Sequence, residues 1–265
     1  MYPVYLRKTD DRRGFVRSVV KEFWALLCEA ESVFIKPNIV SYEPYPTTTH
    51  PDVLAALLEL LPNSRVVVGD GPAFDAGSAD KLLEQHPLRD VCREFGVPLV
   101  NLYRLGMESR ASSRGFSVKL STYPAKFDLV ISLPVLKEHM VCGITGALKN
   151  QFGLLARFER IKMHTGIKNI HRSIAELNAI LTPDLFIVDA VETLLVAQEV
   201  RHGGHRTRLG YMLAGVDPVA LDSVGVRLLA EVDPDMQGVK PEDIPHLQHA
   251  IKYGLGNPKP QTTRL

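Results

Sequence analysis

Short, nearly continuous apolar runs rich in β-branched residues alternate along this chain with longer segments of helical period, and that alternation limits the available folds more than any other feature. "SVFIKPNIV", "RVVVGD", "VPLVNLY", "FDLVISLPVL" and "DLFIVDAV" are the strand-like runs. Between and after them lie "PDVLAALLELL", "ADKLLEQHPLRDVCREFG", "IHRSIAELNAIL" and "DPVALDSVGVRLLAEV". A strand that is apolar on successive residues has both faces covered, as strands of a parallel sheet between helix layers do. The expected fold class is therefore α/β, with a mostly parallel sheet and helices on both faces. Pro51 after His50, and Pro218 after Asp217, mark two helix starts, with Asp217 as an N-cap.

The segment "RLGMESRASSRGFSVKLSTY" loses helical period and alternates, which suggests an inserted hairpin or an edge segment that extends the sheet antiparallel. The chain has 265 residues, enough for one large core. Residues 1–256 are read as a single α/β domain, and 257–265, rich in Pro, Gly and Thr, as a surface tail with little structure.

Charge and cysteine content narrow the function. Lys plus Arg number 31 against 30 Asp plus Glu, and aromatics make up only 7% of residues, so neither a basic face nor stacking platforms for nucleic acid are expected. No apolar run approaches the ~18 residues of a membrane span, and the start "MYPVYLRKTDDRRGF" lacks the apolar core of a secretion signal. The expected setting is the cytoplasm, with no membrane partner and with self-association left open. Cys28, Cys92 and Cys142 are too scattered for a C-x-x-C pair and too few for a four-thiolate iron–sulfur cluster within this chain.

In parallel sheets ligands bind beyond the carboxyl ends of the strands, so polar residues that follow each run are the first candidates. They are Lys36 and Asn38, then Asp70, then Lys137 and His139, then Asp189 or Glu192. Lys137 and His139 are two apart and share a side if the strand persists. A cation beside an imidazole can hold an anion while the ring moves a proton. Gly143 and Gly146 precede a short helix bearing Lys149 and Asn150, where glycines let a backbone approach an anion and free N–H groups hold it. The order of a Walker motif is absent, so triphosphate binding has no support.

In "KMHTGIKNIHRS", His164 is the stronger candidate, and Gly166 argues for a loop that enters a helix near Asn169. Asp217 and Asp222 stand five positions apart, roughly 140° around a helix, so they are not a same-face pair. Asp222, inside an apolar helix, needs a lysine or backbone N–H partner if buried. His139 and His164 are also weighed as ligands of a divalent metal, although their spacing fits no metal motif. The basic turn "EVRHGGHRTRLG" is either a solvated turn or a lid over an anion.

"FIKPNIV", "TTTHPDVLAALLELL", "ISLPVLKEHMVCGITGALKNQFGLL", "LFIVDAVE" and "MLAGVDPVALDSVGVRLL", in this order, resemble the domain-of-unknown-function family 362 over about residues 30–256. The resemblance carries the family motif onto Lys36, Asn38, Lys137, His139, Lys149, Asn150, His164, Asp189, Asp217 and Asp222. It also implies a distant likeness to enzymes of the lactate-racemase type, in which a metal cofactor assists hydride movement. Many members carry a cysteine-rich iron–sulfur module that is missing here, and the turn at His202 to His205 departs from the family pattern.

The functional expectation is an enzyme for a small anionic substrate, carboxylate or phosphate. Lys36, Asn38, Lys149, Asn150, Gly143 and Gly146 bind it. His139, His164 and Lys137 perform acid/base or metal-assisted chemistry such as isomerisation, and Asp189, Asp217 and Asp222 support them. The alternative is a non-catalytic module that binds an anionic metabolite or partners an iron–sulfur protein.

Overall fold

The computed structural model describes residues 3–265. Strand β1 (Val4–Lys8) leads into helices α1 (Arg12–Glu22) and α2 (Trp24–Leu27), followed by β2 (Ser32–Pro37), α3 (Pro51–Glu59), β3 (Arg65–Asp70), α4 (Ala79–Gln85), α5 (Pro87–Glu94) and β4 (Leu99–Asn101). A hairpin of β5 (Met107–Ala111) and β6 (Ser117–Ser121) precedes β7 (Leu129–Leu133), and a smaller one of β8 (Lys137–His139) and β9 (Gly143–Thr145) follows it. The rest is α6 (Ala147–Asn150), α7 (Arg157–His164), α8 (Ile170–Ile180), β10 (Leu185–Leu195), β11 (His205–Gly215), α9 (Pro218–Leu229), α10 (Pro245–Lys252) and β12 (Thr262–Arg264).

Eight strands form one sheet in the order β12-β1-β11-β10-β7-β2-β3-β4. The pairs from β10 through β4 are parallel, and β11 alone runs against its neighbours. The apolar runs have the predicted cause. On β7 and β10, Leu129, Ile131, Leu185 and Ile187 enter one core with α1, α3 and α5, while Val130, Phe186 and Val188 enter the opposite core with α8, α9 and α10. Strand period two sends alternate residues to opposite sides, so both sides must be apolar. Each such side chain contributes about 1.5–3 kcal/mol of burial.

Helix starts follow the caps read from sequence. The His50 ring accepts from Asp52 N ahead of Pro51, Asn169 accepts from Arg172 N, and Asp217 accepts from Ala220 N at 2.9 Å. Gly166 lies at φ +78° between α7 and α8 and separates them, so residues 165–169 form a loop into α8 as expected, with His164 the last residue of α7.

Two expectations need correction. The 104–123 segment forms its hairpin, but as a separate two-stranded sheet, because Phe116, Val118 and Leu120 give β6 an apolar face that packs onto the core. The antiparallel member of the main sheet is β11 instead. The tail is exposed but not without structure: β12 pairs parallel to β1 and extends that edge. Among the described residues no helix is long and apolar enough to cross a membrane.

Asp222 receives the partners it requires. Its carboxylate accepts from Ala147 N at 2.6 Å and Leu148 N at 3.0 Å, which anchors the start of α6 on α9. Burial pushes the Asp222 carboxyl up to about 7, while the two backbone donors pull it down. A Cβ on Gly146 would stand 2.1 Å from Asp222 Oδ1, so only glycine leaves room for this contact. Gly146→Ala and Asp222→Ala should each lower stability in urea by at least about 2 kcal/mol, since both leave buried N–H groups unpaired. The double variant should cost clearly less than the sum, because one contact is lost twice. Additive losses would mean that the two residues act separately.

Candidate active site

The loops after β2 and β7 diverge, because the chain leaves β2 toward β3 and β4 and later returns to lay β7 on its other side. Such a switch in strand order opens a crevice at the carboxyl ends of the strands. A cavity of about 350 Å³ lies there, with Asn38, Asp70, Lys137, His139, Lys149, Arg160 and His164 on its wall. That volume is at the low end of the ~300–1,000 Å³ typical of small-molecule sites.

Beneath the cavity is a buried ion pair. Period two places Lys36 on the same side of β2 as Phe34, under the turn that follows α6, and its ammonium reaches Asp70 Oδ1 at 2.7 Å. Asp70 also accepts from Ile39 N and Gly71 N, both at 2.8 Å, so the β2 and β3 loops share one carboxylate. Gly153 closes over the pair, and a Cβ there would come within 2.0 Å of Asp70 Oδ1 and 2.5 Å of Lys36 Nζ. Burial lowers the Lys36 amine, and Asp70 works against that shift. An amide chain continues across the switch: Lys137 Nζ donates to Asn38 Oδ1 at 3.2 Å and to the Thr47 carbonyl, Asn38 Nδ2 to Asn150 Oδ1 at 3.2 Å, and Asn150 Nδ2 to Ser132 Oγ at 2.9 Å.

Positive charge around the cavity exceeds its local compensation. Lys137 is fully buried, and Lys137, Lys149 and Arg160 have no ion pair with a carboxylate among the described residues. Burial lowers the Lys137 amine to about 7, Lys149 adding to the fall while Glu199 and Glu43 oppose it. Lys149 is lowered by burial and by Arg160, and its Nζ lies 5.2 Å from the centre of the Phe152 ring. Arg160 donates to the Pro72 and Gly71 carbonyls at 2.7 and 2.6 Å and packs on Tyr103 and Phe152.

His139 Nδ1 accepts from Val141 N at 3.1 Å and Cys142 N at 3.3 Å, so in the neutral ring the proton sits on Nε2. Burial and the nearby Lys149 and Lys137 hold this imidazole well below its ordinary value, leaving it a neutral donor. His164 is more exposed, stands against Phe74 and Phe152, and is lowered by burial, Lys149 and Arg160.

Of the residues read from sequence, the fold brings Asn38, Lys137, His139, Lys149, Asn150 and His164 together. Lys36 spends its ammonium on Asp70 rather than on the cavity. Gly143 and Gly146 do not line it, and the N–H groups of α6 once assigned to an anion are taken by Asp222. Asp217 caps α9, and Asp189 holds Arg12 at 2.6 Å and Tyr45 at 2.8 Å elsewhere. Sequence reasoning missed Arg160, Thr145, Asp75 and Glu199. Arg160 sits in a polar helix whose buried side is set by the surrounding elements, a position that no periodicity reveals.

No third His, Cys, Asp or Glu joins His139 and His164 in a ligand-sized group among the described residues. The one such group among them is Asp75, Glu199 and His202, which also line the cavity. There Arg201 already pairs with Glu199 at 2.8 Å and Asp75 at 3.0 Å. The donors around His139 thus fall short of the three protein ligands that a catalytic metal ion usually takes.

Three comparisons place the chain among known proteins. A "Thylakoid-associated protein sll1697" of Synechocystis is 29% identical over 215 residues, which are 77% of this chain and 64% of that protein. The chain therefore spans just under two thirds of that relative's length. The structure of the lactate racemase apoprotein from Thermoanaerobacterium thermosaccharolyticum is similar in fold, with a TM-score of 0.57 and 15% identity over 86% of this chain and 57% of that one. Residues 33–227 match the family described as "Domain of unknown function (DUF362)", and the chain is a member of that family.

Proposed function

We propose that the protein is an enzyme that binds a small carboxylate or phosphate in the switch-point cavity and moves a proton on it, as an isomerase does. One observation carries this reading: Lys137, Lys149 and Arg160 line one small cavity and, among the described residues, no carboxylate is paired to any of them. Cations left this way cost folding energy, and an anionic ligand would recover it. The fold shared with lactate racemase is compatible with an isomerase but does not name the substrate. We propose the cytoplasm as its compartment, and the name of the Synechocystis relative marks thylakoid association as the alternative.

The roles follow from protonation. An amine near 7 can give and take a proton at neutral pH, so Lys137 is the acid/base group of the proposal. His139 donates from Nε2 to an oxygen on which negative charge develops, without itself changing charge. Arg160 holds the anionic group with Lys149 beside it, and the Asn38–Asn150 chain keeps Lys137 in place.

A thermal-shift series with small 2-hydroxy acids, 2-oxo acids and phosphate esters tests binding. One class should raise Tm in the wild type, in line with mass action, and Lys149→Met should lose that rise while it keeps its fold. If no anion shifts Tm, the reading fails.

The pH dependence has a definite sign. Above about 7 the free Lys137 amine is neutral, so anion affinity should weaken by up to about tenfold per pH unit as pH rises, and Lys137→Met should flatten that slope. Chemistry is tested in D₂O by following exchange of the carbon-bound proton of the stabilising acid by NMR. Lys137→Met should slow exchange by about 10²-fold or more while the acid still binds. Binding without exchange in the wild type would favour a non-catalytic anion-binding module.

A further inference from the structure

Lys36 and Lys137 are buried and Lys149 is partly exposed, and the three differ in what holds them. Lys36 is paired with Asp70, and Lys137 donates to Asn38 Oδ1 and the Thr47 carbonyl. The Lys149 side chain has neither a hydrogen bond nor an ion pair among the described residues, although the residue lines the cavity. It shares the Phe152 ring with Arg160, whose guanidinium carbon lies 5.6 Å from the ring centre, against 5.2 Å for Lys149 Nζ. The same cavity has a second polar group without a partner, Thr145 Oγ1, in a residue only 4% exposed. The amine and the hydroxyl are left without an internal partner, and Arg160, held by two backbone carbonyls, keeps its Nε unpaired beside the same aromatic ring.

We propose that Lys149 is a nucleophile that forms an imine with a small 2-oxo acid, whose carboxylate is held by Arg160. This rests on the anion-pocket reading above and narrows its substrate class. A 2-oxo acid suits these two groups because its electrophilic carbon is bonded directly to its carboxylate, so one short molecule carries both the carbon for the amine and the anion for the guanidinium.

The neutral amine attacks the carbonyl carbon and a C–N bond forms. The C=O electron pair moves to oxygen, which gains a proton as the nitrogen loses one. The resulting carbinolamine hydroxyl meets Thr145 Oγ1. It is then protonated and leaves as water while the nitrogen lone pair forms C=N, with no change of oxidation state. Burial and Arg160 lower the Lys149 amine, which raises the fraction free to attack at neutral pH, as a lysine beside another cation requires.

The test is reductive trapping on the full chain at pH 7 with pyruvate, glyoxylate or 2-oxoglutarate and sodium cyanoborohydride, read by intact mass and peptide mapping. One adduct per chain is expected on Lys149, at least about tenfold above any other lysine, as for a group held in a bound complex. It should disappear in Lys149→Arg. If that variant does not fold, the wild-type map alone decides. No adduct, or equal labelling of Lys149 and the exposed Lys81, Lys119 and Lys240, overturns the proposal.

A parallel thermal-shift run with lactate and inorganic phosphate, which have no ketone or aldehyde carbon, separates the two readings. Stabilisation by these anions, or by the oxo acids themselves, without any adduct would leave the anion pocket standing and remove the imine. Absence of both stabilisation and adduct would remove both.

Discussion

The buried pair of Lys36 and Asp70 is the constraint on which the site depends. It ties the end of β2 to the end of β3, and Asp70 extends the tie through Ile39 N and Gly71 N into the loops that form the cavity wall. Gly153 lets the segment after α6 close over it with no room for a Cβ. Such pairs contribute little net stability, because desolvation offsets most of the attraction, while loss of one partner is costly. Its value here is positional. Any rearrangement of the switch-point loops would leave a charge buried and alone.

Above that floor the molecule accepts a different cost. Lys137 and Lys149 are lowered by burial, each depressed further by a nearby cation, and Arg160 relies on carbonyls and aromatic rings instead of a carboxylate. A core built for stability alone would pair or remove these groups. The acidic residues nearest the cavity are already engaged, Asp70 with Lys36, and Glu199 and Asp75 with Arg201. Charge of one sign has been left where a ligand can reach it, and perturbed titratable groups in a cleft are the usual physical mark of function.

How far this could be read from the chain depends on how local each cause is. Lys137 and His139 were legible because two residues of strand put them on one side, and both are buried on β8. Asp222 was legible as a buried carboxylate in need of donors, since its helix is apolar throughout, but nothing local said that Gly146 would make room for it. Lys36 looked like a ligand because its strand ends at the site, and only the approach of β3 showed that Asp70 claims it. Gly143 and Gly146 resembled an anion-binding helix start, but the helix after them was already capped from a segment 75 residues away. Arg160 and Glu199 left no readable signal, because their burial comes from packing between distant segments.

The sequence by itself determined the α/β class, the two-sided sheet, the main helix starts and the polar strand ends, since each follows from side-chain period, caps and turn residues within a few positions. Only the tertiary structure decided which polar groups became internal pairs and which were left facing the cavity. That choice turns on through-space neighbours: an ammonium 34 residues from its carboxylate is neutralised, and an equally buried one that meets only an amide and a carbonyl is not. In a low-dielectric interior that difference in neighbours sets protonation and reactivity, and short-range sequence pattern carries no information about it.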